Sequence, residues 1–151
     1  MFRVGSILIG SSAALALACA APAPTPEEEI RALMTDLIAA IEARVPGEVL
    51  EHVAFEFEAQ DGVGYPEVQS LVLTYLLRDE ILGARLEQLE IEPAGQDAAR
   101  RVRARVAFVR GTRLAQSQVP LPFEAVEYAF DLIFARRGGD WQAVSGSYQR
   151  L

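Results

Sequence analysis

The sequence predicts an α+β domain in which N-terminal helices pack on the apolar, concave face of a curved antiparallel sheet. Two observations lead to this prediction. Apolar residues recur at helical spacing in the first half of the chain, and from Gly83 onward they alternate with polar residues at a period of two. Because an antiparallel sheet with one charged face can leave that face in water, the helices are expected on the other face.

The first helix has the clearest local signals. Thr25 is a suitable N-cap, Pro26 suits the first turn, and Glu28 completes a capping box. The apolar stripe of this helix comprises Ile30, Leu33, Met34, Leu37, Ile38 and Ile41. The Pro46-Gly47 pair is expected to end it.

Shorter elements are expected to follow. The pattern predicts a short second helix at residues 48–53, a strand at 54–59, a turn at 61–64 and a third helix from 65 to about 79 or 82. The third helix has a wide apolar stripe, which Leu73 and Leu77 extend beyond what a surface helix needs. It is therefore predicted to be buried on most sides.

Four long strands are predicted at residues 84–93, 99–110, 122–136 and 140–150, with hairpin turns at 94–97 and 137–140. Charged residues on one parity of these strands are expected to form cross-strand pairs on the face away from the helices. We favour a solvated ladder of ion pairs over an anion site. Its members are Glu90, Glu92, Arg101, Arg103, Arg105, Glu127 and Asp131.

The N-terminal segment has the pattern of an export signal. Arg3 is followed by an uncharged, mostly apolar stretch at residues 7–17, and Cys19, the only cysteine, stands directly after Ala18. This segment resembles a bacterial lipoprotein signal, in which the cysteine is acylated and becomes the new N-terminus. The resemblance departs at Ala16, where such signals favour leucine. Cleavage without acylation, after Ala18 or Ala20, and an uncleaved anchor are the alternatives.

The chain is therefore predicted to comprise a signal peptide at residues 1–18, a lipid-anchored, proline-rich tether at 19–26 and one domain at 27–151. A single cysteine cannot close an internal disulfide and would be a free thiol in an oxidising compartment. Acylation at Cys19 removes this free thiol. The residue after it is Ala20 rather than aspartate. By resemblance to sorting in Gram-negative lipoproteins, this indicates the outer membrane, facing the periplasm.

The charge of the chain excludes one class of partner. All 14 basic residues are arginine, and removal of the one in the signal leaves 13 against 21 acidic residues, a net charge of −8. Such a surface is repelled by phosphate backbones and anionic headgroups, so we expect no nucleic-acid binding and membrane contact through the N-terminal lipid.

The order of elements from residue 27 to 151 resembles the nuclear transport factor 2-like (NTF2-like) superfamily, which includes the ketosteroid-isomerase-like and SnoaL-like cone-shaped domains. The short segments that carry this resemblance lie at residues 38–44 with Pro46, Val49 and Leu50, at residues 62–68, and at residues 138–145. These are packing patterns, so the resemblance implies the fold and no particular activity.

The catalytic sets known in that superfamily do not match this sequence. Ketosteroid isomerases combine an aspartate base with a tyrosine from the first helix and a protonated acid, but no tyrosine occurs between Glu27 and Val53. The Asp-Arg-Asp set of the epoxide hydrolases would need Asp131 to face the helices, the opposite of its parity. His52 is the only histidine, so a metal site built on imidazoles is not expected, and we favour a non-catalytic role for His52.

The side chains expected to face the helices include an aromatic set. Tyr75, Phe108, Tyr128 and Phe130, with Ala104 as a small neighbour, are candidate ligand-binding residues for an apolar small molecule. We favour a filled core over an open pocket for this set, since aromatic stripes are usually packing. Trp141 is compatible with either face of the last strand, because one bulge reverses the parity.

The sequence thus favours a non-enzymatic envelope lipoprotein that binds an apolar small molecule or an envelope protein, with no cofactor and no metal. The alternative is a small isomerase, cyclase or hydrolase with Asp36, Asp61 or Asp79 as the base. A dimerisation module is a third hypothesis, because relatives often pair through the outer sheet face. The charged ladder argues against a dry interface there, and the oligomeric state is left open.

Overall fold

The computed structural model describes residues 22–77, 81–95, 98–110 and 124–151. Within these residues, the helices α1 (Pro26–Ala43) and α2 (Pro46–Leu50) precede the first strand, and α3 (Tyr65–Leu77) follows it and precedes the rest of the sheet. The strands are β1 (Val53–Ala59), β2 (Ile81–Pro93), β3 (Arg100–Arg110), β4 (Glu124–Arg137) and β5 (Asp140–Arg150). The α+β class is confirmed.

The α1 helix begins as its sequence predicts. The Thr25 side chain accepts a hydrogen bond from the Glu28 amide, and the Glu28 carboxylate accepts one from the Thr25 amide at 2.7 Å. The helix ends earlier than predicted. Arg44 adopts a left-handed conformation (φ 59°) that caps it, and Pro46 begins α2 instead of ending α1.

The five strands form one curved sheet in the order β1-β5-β4-β3-β2. Neighbours from β2 to β5 are antiparallel, whereas β1 runs parallel to β5 at the edge. The β4–β5 turn uses Gly138 and Gly139, both with positive φ (60° and 98°), as the tight turn of a twisted hairpin requires. Bulges in β1, β2 and β5 interrupt the regular register.

The main core lies between the N-terminal half of α1 and one end of the sheet. Among the described residues, Phe134, Ile30 and Val102 are the largest fully buried side chains. Trp141 is also on this face, at 6% exposure, which settles the side of the last strand that the sequence left open. The buried cluster comprises Ile30, Leu33, Met34, Val102, Ala104, Phe134, Trp141 and Ala143.

The prediction that α3 is buried on most sides is wrong. Only Leu76 of this helix is buried, while Leu77 is 64% exposed and Leu73 is 38% exposed. The physical reason is position, because α3 packs mainly against α2 and β1, the edge strand of the sheet. None of the helices in the described part of the chain has the length and apolar character needed to cross a bilayer.

Candidate functional site

An aromatic cluster lies on the helix-facing side of the sheet, at the end away from the main core. The ring centroids of Phe108 and Tyr128 are 5.8 Å apart, and those of Tyr128 and Phe130 are 6.3 Å apart. Tyr148 of β5 is 6.3 Å from both Tyr128 and Phe130. We call Phe108, Tyr128, Phe130 and Tyr148 the aromatic cluster.

Strand register explains why these rings meet. In β3 and β4, Phe108 and Tyr128 lie on the same face as Ala104, which pairs directly with Phe130. Phe130 in turn pairs with Tyr148 of β5. Directly paired residues project from the same face of a sheet, so four rings come together across three strands. The structure therefore brings three of the predicted ligand-binding residues into one group.

Tyr75, the fourth predicted residue, reaches this region from α3. The guanidinium carbon of Arg110 lies 5.9 Å from the centroid of its ring, a cation–π geometry. Arg110 is two residues beyond Phe108 on the same face of β3, so it lies between Tyr75 and the aromatic cluster. Tyr75 is 37% exposed and is therefore part of the surface as well as of this contact.

Sequence reasoning missed Tyr148 and Arg110. Tyr148 joins the cluster because β5 carries an extra residue where Ile133 pairs with Ser145 and Phe134 with Ala143. Without that bulge, Trp141 and Tyr148 would project from opposite faces. The only sequence signal for an aromatic partner on β5 was the apolar face of the neighbouring strand β4, which carries Phe130 and Leu132.

Among the described residues, the aromatic cluster is less buried than the main core. Tyr148 is 51% exposed, and Phe108, Tyr128 and Phe130 are half-buried, whereas Phe134 on the same face of β4 is only 1% exposed. The two ends of one sheet face thus differ sharply in how far they are covered. A face of four half-exposed rings offers apolar contact area that is still partly in water.

At the other end of this face, a polar contact fastens α1 to the sheet. The Glu29 carboxylate accepts a hydrogen bond from the indole Nε1 of Trp141 at 2.8 Å and also pairs with Arg136. The Arg136 guanidinium carbon stacks 4.7 Å from the indole centroid. This arrangement gives a buried N–H its acceptor, and it is structural rather than catalytic.

The charged residues of the outer face form the predicted ladder. Arg101 donates two hydrogen bonds to Asp131, at 2.7 and 2.5 Å, and these hold the pKa of Asp131 below its ordinary value. Arg103 lies 3.2 Å from Glu92, 3.7 Å from Glu90 and 3.9 Å from Asp131. The arginines face away from the helices, so the prediction of a solvated ladder is confirmed for these members.

Candidate acids and bases lie elsewhere. Asp36 and Asp61 are exposed, and Asp79 lies outside the described residues, as does Cys19. His52 is half-buried, with Nδ1 3.3 Å from the Trp141 carbonyl oxygen and Nε2 3.7 Å from the Glu51 carboxylate. In the part of the chain that the structure describes, no three metal-binding side chains come together.

A groove of about 330 Å³ also opens between α1 and β2. It contains none of the predicted ligand-binding residues, and it follows the bulge of β2 between Leu86 and Gln88. Its lining is mixed polar and apolar, formed by Arg31, Thr35, Leu86, Glu87, Gln88 and Leu89. This mixed lining makes it less suited to an apolar molecule than the four rings are.

Solved structures of other proteins share this architecture. A proposed scytalone dehydratase from Novosphingobium aromaticivorans aligns with a TM-score of 0.64 and 12% identity over 83% of each chain. A proposed dehydratase of the NTF2-like family from Streptomyces avermitilis aligns with a TM-score of 0.64 and 12% identity, over 84% of this chain and 99% of the other. An NTF2-like protein of unknown function from Shewanella oneidensis gives 0.61 and 15%, over 82% and 98%.

At these identities the likeness shows the fold alone, and the chain has an NTF2-like fold. No protein-family model matches the sequence, and no curated protein matches it at a significant level.

Proposed function

We propose that this protein is a lipid-anchored component of the bacterial envelope whose NTF2-like domain binds an apolar small molecule against the aromatic cluster, without turning it over. One observation carries the binding proposal: four rings, each with its centroid within 6.3 Å of at least one other, stay partly exposed on the helix-facing side of the sheet. The anchor is proposed from the N-terminal signal pattern and Cys19.

The course of α1 supports an exposed binding face. The N-terminal half of α1 packs in the core with Phe134 and Trp141, whereas Arg44 at its C-terminal end donates a hydrogen bond to the Ile81 carbonyl oxygen of β2. The helix therefore crosses from the β4–β5 hairpin to the edge strand β2 instead of following β4. Among the described residues, the Tyr128 end of β4 is less buried than the Phe134 end, and an apolar ligand there would remove ring surface from water.

The hydroxyl groups of the cluster suggest how a ligand is oriented. Tyr128 and Tyr148 add two phenol hydroxyls to an otherwise apolar surface, and a phenol both donates and accepts hydrogen bonds. We expect a mostly apolar molecule with one or two polar atoms. A flat or ring-containing molecule matches the tilted rings better than a highly charged one.

Binding is tested with a neutral fluorescent apolar probe on the mature protein. Phe130→Ala and Tyr148→Ser each remove a ring and are expected to weaken binding roughly tenfold. Phe55→Ser is the matched control, because Phe55 is 85% exposed on β1 and outside the cluster. Equal affinities for all three variants would contradict the proposed site.

Native mass spectrometry of protein purified from its host membrane tests the rest of the proposal. It reports the acyl groups on Cys19, any retained small molecule and the number of subunits in one experiment. An unmodified N-terminus at residue 19 or 21 would contradict the lipid anchor. A co-purified protein in place of a small molecule would instead favour an envelope protein partner.

An enzyme is the second candidate, because two of the structural neighbours are described as proposed dehydratases. In this candidate an isomerase, cyclase or hydrolase uses the aromatic region as its pocket. The exposure of Asp36 and Asp61 weakens it, because a base in bulk water is not shielded from solvent around its substrate. Reproducible turnover that is lost in Tyr128→Phe would favour the enzyme over the binding protein.

A further inference from the structure

Phe55 is an apolar side chain at an unusual position. It is 85% exposed, and its ring is tilted by 37° against that of Tyr65, with the two centroids 5.3 Å apart. A β-bulge holds it there: Val53 pairs with Ala143 and Glu58 with Ser145, so five steps along β1 match two along β5. The extra residues cannot stay in register and project from the sheet edge.

Contacts place Phe55 at the end of the domain where the tether begins. Its neighbour Glu56 accepts a hydrogen bond from Arg137 of the β4–β5 hairpin at 2.5 Å. The adjacent Arg136 pairs with Glu29 in the first turn of α1. We call the first turn of α1, the β4–β5 hairpin and Phe55 the anchor end.

The aromatic cluster lies at the opposite end. Tyr128 is eight residues before Arg136 on β4, a distance of about 26 Å along the strand. The tether from Cys19 to Pro26 spans seven residue steps and contains prolines at positions 22, 24 and 26, so it reaches about 22 Å when extended. A tether of this length is too short to carry its attachment point over the far end of the domain.

We propose that the anchor end rests on the bilayer with Phe55 in the headgroup region, so that the aromatic cluster opens away from the membrane that holds the lipid. This inference rests on the proposed acylation of Cys19. In this orientation the headgroup region of the bilayer covers the exposed Phe55 side chain. It follows that the apolar ligand reaches the cluster from the aqueous side or from another protein, and not from the anchoring bilayer.

The expected free-energy gain from inserting the Phe55 side chain is that of a contact that orients the domain on the membrane. Transfer of most of a phenylalanine side chain out of water favours the inserted orientation roughly tenfold or more. That is enough to orient a domain already held by its lipid and too little to recruit an unanchored one. Glu27 and Glu28 lie exposed at the same end, so a zwitterionic surface suits it better than an anionic one.

The test uses acylated protein from its host membranes, reconstituted in phosphatidylcholine vesicles with or without bromine in the lipid acyl chains. Phe55→Trp is compared with Tyr148→Trp, a matched control that is also an aromatic replacement at an exposed site, 51% exposed at the opposite end. Trp141, the only native tryptophan, is 6% exposed and lies at the anchor end, so the emission and quenching of the unsubstituted protein are measured and subtracted from those of each variant. Position 55 is so exposed that the larger ring does not disturb the core.

We expect brominated lipid to remove most of the added emission of Phe55→Trp and none of that of Tyr148→Trp. Equal quenching at the two positions, or quenching at neither, overturns the orientation. The intact mass of the same sample separates the two proposals. Acylated protein without quenching at position 55 overturns the orientation alone, whereas protein without acyl chains overturns the anchor and the orientation together.

Discussion

Glu29→Ala is expected to loosen α1 from the sheet, because one carboxylate serves two partners there. Glu29 accepts the hydrogen bond of the Trp141 indole at 2.8 Å and pairs with Arg136. Trp141 is only 6% exposed, so water has little access to its N–H when the carboxylate is removed. The substitution therefore leaves a largely buried donor without its acceptor.

The magnitude follows from these two contacts. An unsatisfied buried donor costs about 1–3 kcal/mol. The Arg136 side chain is 42% exposed, so loss of that ion pair adds well under about 1 kcal/mol. We expect Glu29→Ala to lower the free energy of unfolding by about 2 kcal/mol. Glu29→Gln keeps an oxygen acceptor for the indole and is expected to cost less than about 1 kcal/mol.

Urea unfolding monitored by tryptophan fluorescence measures this effect, because the emission comes from Trp141, the only tryptophan and a member of the contact. Glu27→Ala is the matched control: Glu27 is exposed in the same first turn, so its removal has the same effect on the helix dipole. If Glu29→Ala and Glu27→Ala unfold at the same urea concentration, the indole contact contributes nothing and the reasoning is refuted.

Three further substitutions test the sheet. Phe134→Ala removes a ring that is 1% exposed and should cost about 3–5 kcal/mol by urea unfolding; a loss below about 1 kcal/mol would mean that this core is loose. Gly146→Ala places a Cβ against Leu132 and 2.9 Å from the Asp131 carbonyl oxygen, and should cost roughly 1–3 kcal/mol; unchanged stability would show that β5 can shift. Asp131→Asn should have a lower free energy of unfolding than wild type at pH 7. Because Arg101 lowers the pKa of Asp131 in the folded state, this difference in free energy should shrink as the pH falls below the ordinary Asp131 pKa of 3.8. A difference that stays constant down to pH 2 would contradict the ion pair.

Local signals allowed the helix α1 and the faces of the sheet to be predicted. The capping box of Thr25 and Glu28 is complete within four residues, so no distant contact was needed to place the start of α1. The alternation in β3 likewise fixed which side of the strand carries Arg101 and Arg103. These features depend on spacing alone, which a single sequence contains.

Features set by long-range register were not predictable in the same way. The bulge in β5 decides where Trp141 and Tyr148 point, and it arises from pairing with β4 rather than from any turn residue in β5 itself. The parallel pairing of β1 with β5 joins segments about 90 residues apart, and it moves α3 to the edge of the sheet. The apolar stripe of α3 therefore predicted burial that its position does not provide.

Whether a sheet face becomes core or a binding surface depends on which elements cover it. The alternation of apolar and polar residues in a strand does not show which part of the face is covered. Phe130 and Phe134 are four residues apart on the same face of β4, yet only Phe134 is sealed beneath α1. The difference follows from the course of α1, which begins beside the β4–β5 hairpin, where Glu29 contacts Trp141, and ends beside β2, where Arg44 bonds to the Ile81 carbonyl oxygen. The Phe134 end of β4 lies on this course and belongs to the buried cluster. The partly exposed rings thus result from the direction in which α1 crosses the sheet, and the sequence of a single strand does not contain that direction.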